Sequence, residues 1–194
     1  MHAFLKPKLS KIKITTNQIY KLRELSNMYK YWKNKINIIS NKSSTDFFIN
    51  HLLSSISIAN IVKFINNTLI LDAGTGGGLP GIPLAILFDH CKFTLIDSVS
   101  KKIKIIKDFI KYLELTNVEV KCTNVKQIKQ KFNVIVTRGL YKKLVNYLIQ
   151  KNIIISENKL FKNVILCITG TKKKLKRFRE YKLSLKINLR FVGI

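Results

Sequence analysis

Three features of this 194-residue sequence could handle a nucleotide-like ligand: a glycine cluster, two acids near it and one arginine. The cluster lies in Leu69-Ile70-Leu71-Asp72-Ala73-Gly74-Thr75-Gly76-Gly77-Gly78-Leu79-Pro80-Gly81-Ile82-Pro83. Glycines let a backbone adopt positive φ and come close to a ligand. A helix starting after them would offer free N–H groups in its first turn. Pro83 or Pro80 suits the first helical position, where its missing N–H costs nothing. Asp97 ends a second apolar run, 19 residues after Gly78. An acid there can accept both hydroxyls of a ribose. It can also cap the basic helix that follows, offsetting the helix dipole. Arg138 ends a fourth apolar run. Ligands of open α/β sheets bind outside the carboxyl ends of strands. A guanidinium there could hold a carboxylate, a phosphate or the O6 of guanine, with a surface salt bridge as the plain alternative. Cys91, Cys122 and Cys167 are odd in number and form no CxxC, so neither a metal site nor a disulfide framework is expected.

These residues need a sheet to hold them, and the periodicity supplies one. Thr68–Asp72 is short and almost wholly apolar, as a strand covered on both faces should be. Phe93–Asp97, Val118–Cys122, Phe132–Thr137, Val164–Thr169 and Leu183–Val192 read as further strands. Helical stretches lie between them at Pro83–Phe88, Lys101–Leu113 and Tyr141–Gln150, with a basic helix start at Lys172–Glu180. Strands alternating with helices predict an α/β fold with a parallel sheet. Before them, Ile19, Leu22, Leu25, Met28, Tyr29 and Trp32 recur at three- and four-residue steps, one face of a helix that Thr15, Thr16 or Asn17 could cap. A loop at Ser40–Ser44 and a second helix from Thr45 to Ile65 follow. The chain therefore divides into a helical extension, 1–66, on a core, 67–194, as one structural unit.

Lysine and arginine number 36 against 10 acids, a net charge of +26. So positive a field collects polyanions, nucleic acid above all, although AT-rich codon usage would also raise lysine. Lys6–Lys13, Lys101–Lys107 and Lys172–Arg179 are candidate phosphate contacts; within them we single out Lys101, Lys102 and Lys173. Tyr31 and Trp32 could stack on bases, but their helical spacing favours core packing. No apolar run approaches a bilayer-spanning length, and the charged Met1–Lys8 stretch precedes no apolar segment, so a cytoplasmic protein without a secretory signal is expected.

The glycines can be counted in two registers. Gly76, Gly78 and Gly81 spell GxGxxG, the dinucleotide fingerprint, whose first glycine directly follows the strand. Here Gly74 comes first, with Asp72 two residues earlier, and this D-x-G-x-G-x-G form resembles motif I of class I methyltransferases. The run LDAGTGGGLPGIPLAI, followed by FTLIDSVSKKIKII, resembles the RsmG (GidB) family of bacterial 16S rRNA guanine-N7 methyltransferases. Tyr31–Ser40 resembles its W-N-K-x-N-L-T segment, His51–Ser55 its H-x-x-D-S, and Phe132–Leu140 its strand ending in S-R-A. The likeness runs from about Ile19 to Gly170.

The resemblance implies a Rossmann-like class I methyltransferase sheet with an N-terminal helical cap, using S-adenosylmethionine. Its implied substrate is the decoding-site loop of 16S rRNA in the small ribosomal subunit. It implies cofactor contacts at Asp72, Gly74, Gly76, Gly78, Leu79 and Asp97, at the pair Val125 and Lys126, and at Arg138. It also implies a pocket-lining, RNA-facing place for His51. Four positions depart from the family: Gly77 stands for a proline, Lys126 for an acid, Ser54 for an aspartate and Thr169 for a lysine. A looser glycine loop is expected from the first. The sequence stops near Ile194, where the family commonly adds a final antiparallel strand. Guanine N7 carries an in-plane lone pair, so proximity alone could drive the transfer, with no general base and no metal in a monomer. Two alternatives stay open: a nicotinamide or flavin enzyme using the second register, and an RNA-binding protein that keeps the fold without catalysis.

Overall fold

Strand β1 (Leu69–Ala73) is apolar because it is covered twice: Ile70, Leu71 and Ala73 have no exposed surface. Alternate residues enter opposite layers. Ile70 joins one core with Leu84, Phe93, Leu95, Phe109 and Val134. Leu71 and Ala73 join the other with Ile96, Phe132, Ile135 and Leu148. The computed structural model describes residues 13–33, 52–56, 58–60, 62–138, 144, 147–148, 164–169 and 188–193.

Beside β1 run β2 (Lys92–Asp97), β3 (Val118–Cys122), β4 (Val134–Arg138), β5 (Val164–Thr169) and β6 (Asn188–Gly193). All six are parallel, in the order β3-β2-β1-β4-β5-β6. Leu71 stands level with Thr94 on one side and Ile135 on the other. Chain order reverses between β1 and β4, and ligands of such sheets settle in the crevice at that reversal. The sequence thus predicts all six strands, within a few residues at each end. Of the last expected strand, Leu183–Val192, residues 183–187 lie outside the described residues and the part from Asn188 onward is strand. β4 begins at Val134, not Phe132, because Asn133 replaces a ladder carbonyl with its side chain. Its Oδ1 accepts from Leu69 N at 2.8 Å while its own N–H donates to Leu69 O at 2.9 Å.

Among the described residues, α1 (Thr16–Lys33), α2 (Gly81–Leu87) and α3 (Ser100–Tyr112) lie against the first core layer, as do Leu52, Leu53 and Ile56. Thr15 starts α1 through a reciprocal cap. Gln18 N donates to Thr15 Oγ1 at 3.2 Å, and Thr15 N donates to Gln18 Oε1 at 3.1 Å. Leu22 and Leu25 are fully buried. Each such burial contributes about 1.5–3 kcal/mol relative to exposure, which docks α1 on α2 and α3. Tyr31 is 58% exposed, its ring edge-on to the half-buried Trp32.

The second expected helix is shorter than the sequence suggests. Residues 52–56 are helical and Ile58–Asn60 makes one tighter turn. The chain is then no longer helical: Val62 and Phe64 are buried and Lys63 and Ile65 exposed, a period of two. Asn67, at φ 61, turns it into β1. The expected helix at 141–150 is described only at Leu144, Tyr147 and Leu148, which are helical, and the one at 172–180 lies outside the described residues. Among the described residues, no helix is long and apolar enough to cross a membrane.

Candidate cofactor site

The loop after β1 alternates its backbone hand: Gly74, Gly76 and Gly78 take φ 71, 59 and 89. Side chains resist these values. Gly74 N and Thr75 N both donate to Ile96 O, at 3.0 and 2.9 Å, which ties the loop to β2. Asp72 holds it from beneath. Its Oδ2 accepts from Thr75 Oγ1 at 2.7 Å and from Gly81 N, the first residue of α2, at 2.8 Å. Only glycine fits at 81, since a Cβ there would lie 2.6 Å from that carboxylate oxygen and 2.9 Å from Leu95 Cγ. Pro80, not Pro83, adjoins the helix start. Burial pushes the Asp72 carboxyl up to about 7, against the opposing pull of the Thr75 and Gly81 bonds and of Arg138. Its second oxygen, Oδ1, is buried with no hydrogen-bond partner among the described residues.

Asp97 reaches back from the end of β2. Its Oδ2 accepts from Gly76 N and its Oδ1 from Val99 N, both at 2.9 Å. It does not cap α3, as it could on sequence grounds. The residue at that position is Val99, which makes no side-chain cap, and Asp97 closes the turn before it. Each carboxylate oxygen keeps a lone pair for a further donor. Beyond β3, Asn124 caps a single helical turn, Val125–Gln127. Its Oδ1 accepts from Lys126 N at 3.0 Å, and its N–H donates to Gln127 Oε1 at 3.1 Å. Arg138 ends β4 half-buried. Burial lowers its pKa, and the neighbouring Tyr29 and Asp72 oppose that.

A cavity of about 340 Å³ opens at these strand ends. Gly74, Ile96, Asp97 and Ser98 line it, with Lys102 from α3. So do Thr123, Asn124 and Val125 after β3, together with Arg138 and Leu144. Of the residues expected at a cofactor, it brings Gly74, Asp97, Val125 and Arg138 together, and it adds Lys102, singled out for RNA. Asp72, Gly76, Gly78 and Leu79 are not on its wall and shape the loop behind it. Counting from Gly74 is therefore the register that meets the cavity. Lys126 and Lys101 are exposed, Ser54 is buried, Thr169 ends β5, and His51 and Lys173 lie outside the described residues. A hollow of about 440 Å³ at the starts of β1, β2 and β3 is larger, but no glycine loop or strand carboxyl end borders it.

Sequence reasoning missed Thr75, Asn124 and Tyr29. Asn124 followed by Gln127 is a readable capping pair. Thr75 has only its spacing from Asp72 to mark it, and Tyr29 reads as one more apolar residue on α1. Yet the buried Tyr29 hydroxyl donates to Gly77 O, and its ring meets Phe109 edge-on, centroids 4.9 Å apart.

Known proteins agree with this geometry. The profile of the family described as rRNA small subunit methyltransferase G matches residues 18–178. The chain is 42% identical over 127 residues to "Ribosomal RNA small subunit methyltransferase G" of Flavobacterium johnsoniae, covering 66% of this chain and 61% of that protein. It is 35% identical to the protein of the same name from Bacteroides fragilis, over 81% of this chain and 77% of that one. The chain thus spans about three fifths of the length of the Flavobacterium relative. A solved precorrin-6y C5,15-methyltransferase of Geobacter metallireducens shares the fold, at TM-score 0.51, 13% identity and 74% and 72% coverage of the two chains. The sheet is a Rossmann-like class I methyltransferase sheet, and the chain belongs to the rRNA small subunit methyltransferase G family.

Proposed function

We propose that this chain uses S-adenosylmethionine to methylate guanine N7 in the decoding-site loop of small-subunit 16S rRNA. The observation that carries the reading is the cavity at the sheet's reversal point, which Gly74, Asp97, Val125 and Arg138 line together. Family membership supports it. An amino-acid-bearing nucleoside needs an acceptor for its ribose, a cation for its carboxylate and an apolar bed for its base. Asp97 has lone pairs free for the hydroxyls, Arg138 brings the cation, and Val125 with Ile96 offers the bed. The volume stands near the lower end for small-molecule sites.

Bound S-adenosylmethionine would supply an electrophilic methyl group on a sulfonium. The chain's own work is then to hold and orient. Gly74, without a side chain, lets the ligand lie against the end of β1. Arg138 pairs with a carboxylate through a forked guanidinium. Asp72, Gly76, Gly78 and Leu79 hold the loop in shape and act on the ligand through Gly74. Lys126 leaves the adenine side without the acid expected there, and Thr123 and Asn124 are the polar groups on that wall. N7 needs no base to deprotonate it, so alignment is the main requirement. The departing group is a neutral thioether, so no metal is invoked.

Lys102 lines the cavity and Lys101 lies beside it in the first turn of α3, and we assign both phosphate contacts; His51 and Lys173 remain RNA candidates on sequence grounds. We also propose that residues 1–66 form a helical extension on the 67–194 core, one unit. The shared burial of Leu22 and Leu25 with Leu84, Leu95 and Phe109 supports this. We propose that the chain acts as a monomer, and the proposed substrate implies the cytoplasm. The test is transfer of a labelled methyl group to small ribosomal subunits lacking the modification. Incorporation into a single guanine, lost in an Arg138→Ala variant, is expected. A folded, cofactor-binding protein that transfers nothing would leave an RNA-binding protein on a methyltransferase fold.

A further inference from the structure

We infer that Tyr29 of α1 is a positioning residue for the cofactor loop, holding Gly77 so that Gly74 and its neighbours present a fixed backbone to the ligand. The inference rests on the cofactor reading above. Gly77 lies between two glycines of positive φ, a run of glycines with wide backbone freedom of its own. Besides the backbone bonds to Ile96 O, side chains restrain it at three places. Asp72 with Thr75 holds it from below, Asp97 holds Gly76 N, and Tyr29 holds Gly77 O. The first two belong to the sheet that carries the site. Tyr29 alone comes from the N-terminal extension, so α1 reaches the site through this one hydroxyl among the described contacts.

The geometry marks Tyr29 as more than a core residue. Its ring is fixed edge-on against Phe109 of α3, and its oxygen would lie 3.3 Å from a Cβ built on Gly78. The loop therefore folds directly against the hydroxyl. Burial raises the phenol's pKa far above the usual tyrosine value, so it remains a donor at every working pH. Arg138 and Asp72 are within electrostatic reach of it, which places the anchor beside the cation proposed for the cofactor carboxylate. Gly77 is buried, so water does not readily replace the lost donor when the hydroxyl is removed. A loop preorganised before binding spares the ligand the cost of ordering it.

The experiment is calorimetric titration of S-adenosylhomocysteine into the full chain, comparing wild type, Tyr29→Phe and Leu22→Ala. Phenylalanine keeps the contact with Phe109 and removes one oxygen. It is expected to raise Kd about tenfold, the effect of one lost buried hydrogen bond. Leu22→Ala removes a fully buried leucine of the same helix away from the loop. It should lower the melting temperature at least as far and leave Kd unchanged. Amide exchange at Gly76–Leu79 should quicken in Tyr29→Phe and not in Leu22→Ala. Equal Kd for wild type and Tyr29→Phe would overturn the inference, and so would an equal weakening by Leu22→Ala. A Tyr29→Phe chain that fails to fold would overturn it too, because the hydroxyl would then hold the fold and not the loop. Absence of binding by folded wild type would instead sink the cofactor reading on which the inference depends.

Discussion

Asp72→Asn should change how stability depends on pH, and the structure gives the size. The native carboxyl is fully buried, has one oxygen without a partner among the described residues, and is pushed up to about 7 from an ordinary 3.8. Between those values the folded chain keeps a proton that the unfolded chain has released. Asp72 therefore favours folding most below about pH 4, and that contribution is lost as pH rises through about 7. Each pH unit in which only the native state holds the proton is worth about 1.4 kcal/mol. Across pH 5 to 8, the wild type should lose roughly 2–3 kcal/mol relative to Asp72→Asn, most of it before pH 7. Asparagine can still accept from Thr75 and Gly81 and has no charge to bury. Urea unfolding of both proteins at pH 5, 6, 7 and 8 and one ionic strength gives the difference directly. Parallel curves would refute the reasoning, because they would mean that Asp72 is ionised at pH 5 despite its burial.

Other outcomes follow from the same contacts. Gly81→Ala forces a methyl group against Asp72 and Leu95, and should destabilise by about 1–3 kcal/mol, read as a lower urea midpoint at constant slope. Arg138→Gln removes the cation on the cavity wall and should weaken S-adenosylmethionine binding about ten- to a hundredfold in calorimetry, with little change in melting temperature. RNA binding should weaken steeply with salt, log K falling by about 0.7 per log unit of salt for each phosphate neutralised on a single-stranded loop. Replacing Lys101 and Lys102 with alanine should make that slope shallower, as a filter-binding salt series would measure.

The sheet was legible because its strands are short apolar runs divided by turns and helices. β1 and β2 follow from Ile70, Leu71, Phe93 and Leu95, whose burial on two sides leaves no alternation to misread. The second helix was harder. Val62 to Ile65 is apolar enough to extend a helix, and only tertiary packing makes Lys63 and Ile65 the exposed half of a period-two segment. Within the site, Gly74 and Asp97 were readable from spacing, since both sit at strand ends where the fold puts ligands. Val125 and Lys126 depended on family likeness, and only Val125 reaches the cavity. Asp72 carries the motif's acid, yet its work is local: it ties Thr75 to the start of α2. Tyr29 could be read only as part of the buried face of α1, not as a contact of the loop. Its contact with Gly77 spans 48 residues and depends on how α1 docks, which no local pattern encodes.

The most direct test of the central claim is binding of S-adenosylmethionine to the folded chain, with Gly74→Asp as control and NAD as competitor. Gly74 combines a φ of 71 with a place on the cavity wall, so a side chain there is both strained and in the ligand's way. Saturable binding that NAD does not displace and that Gly74→Asp abolishes is predicted. No binding by folded wild type, or displacement by NAD, would contradict it.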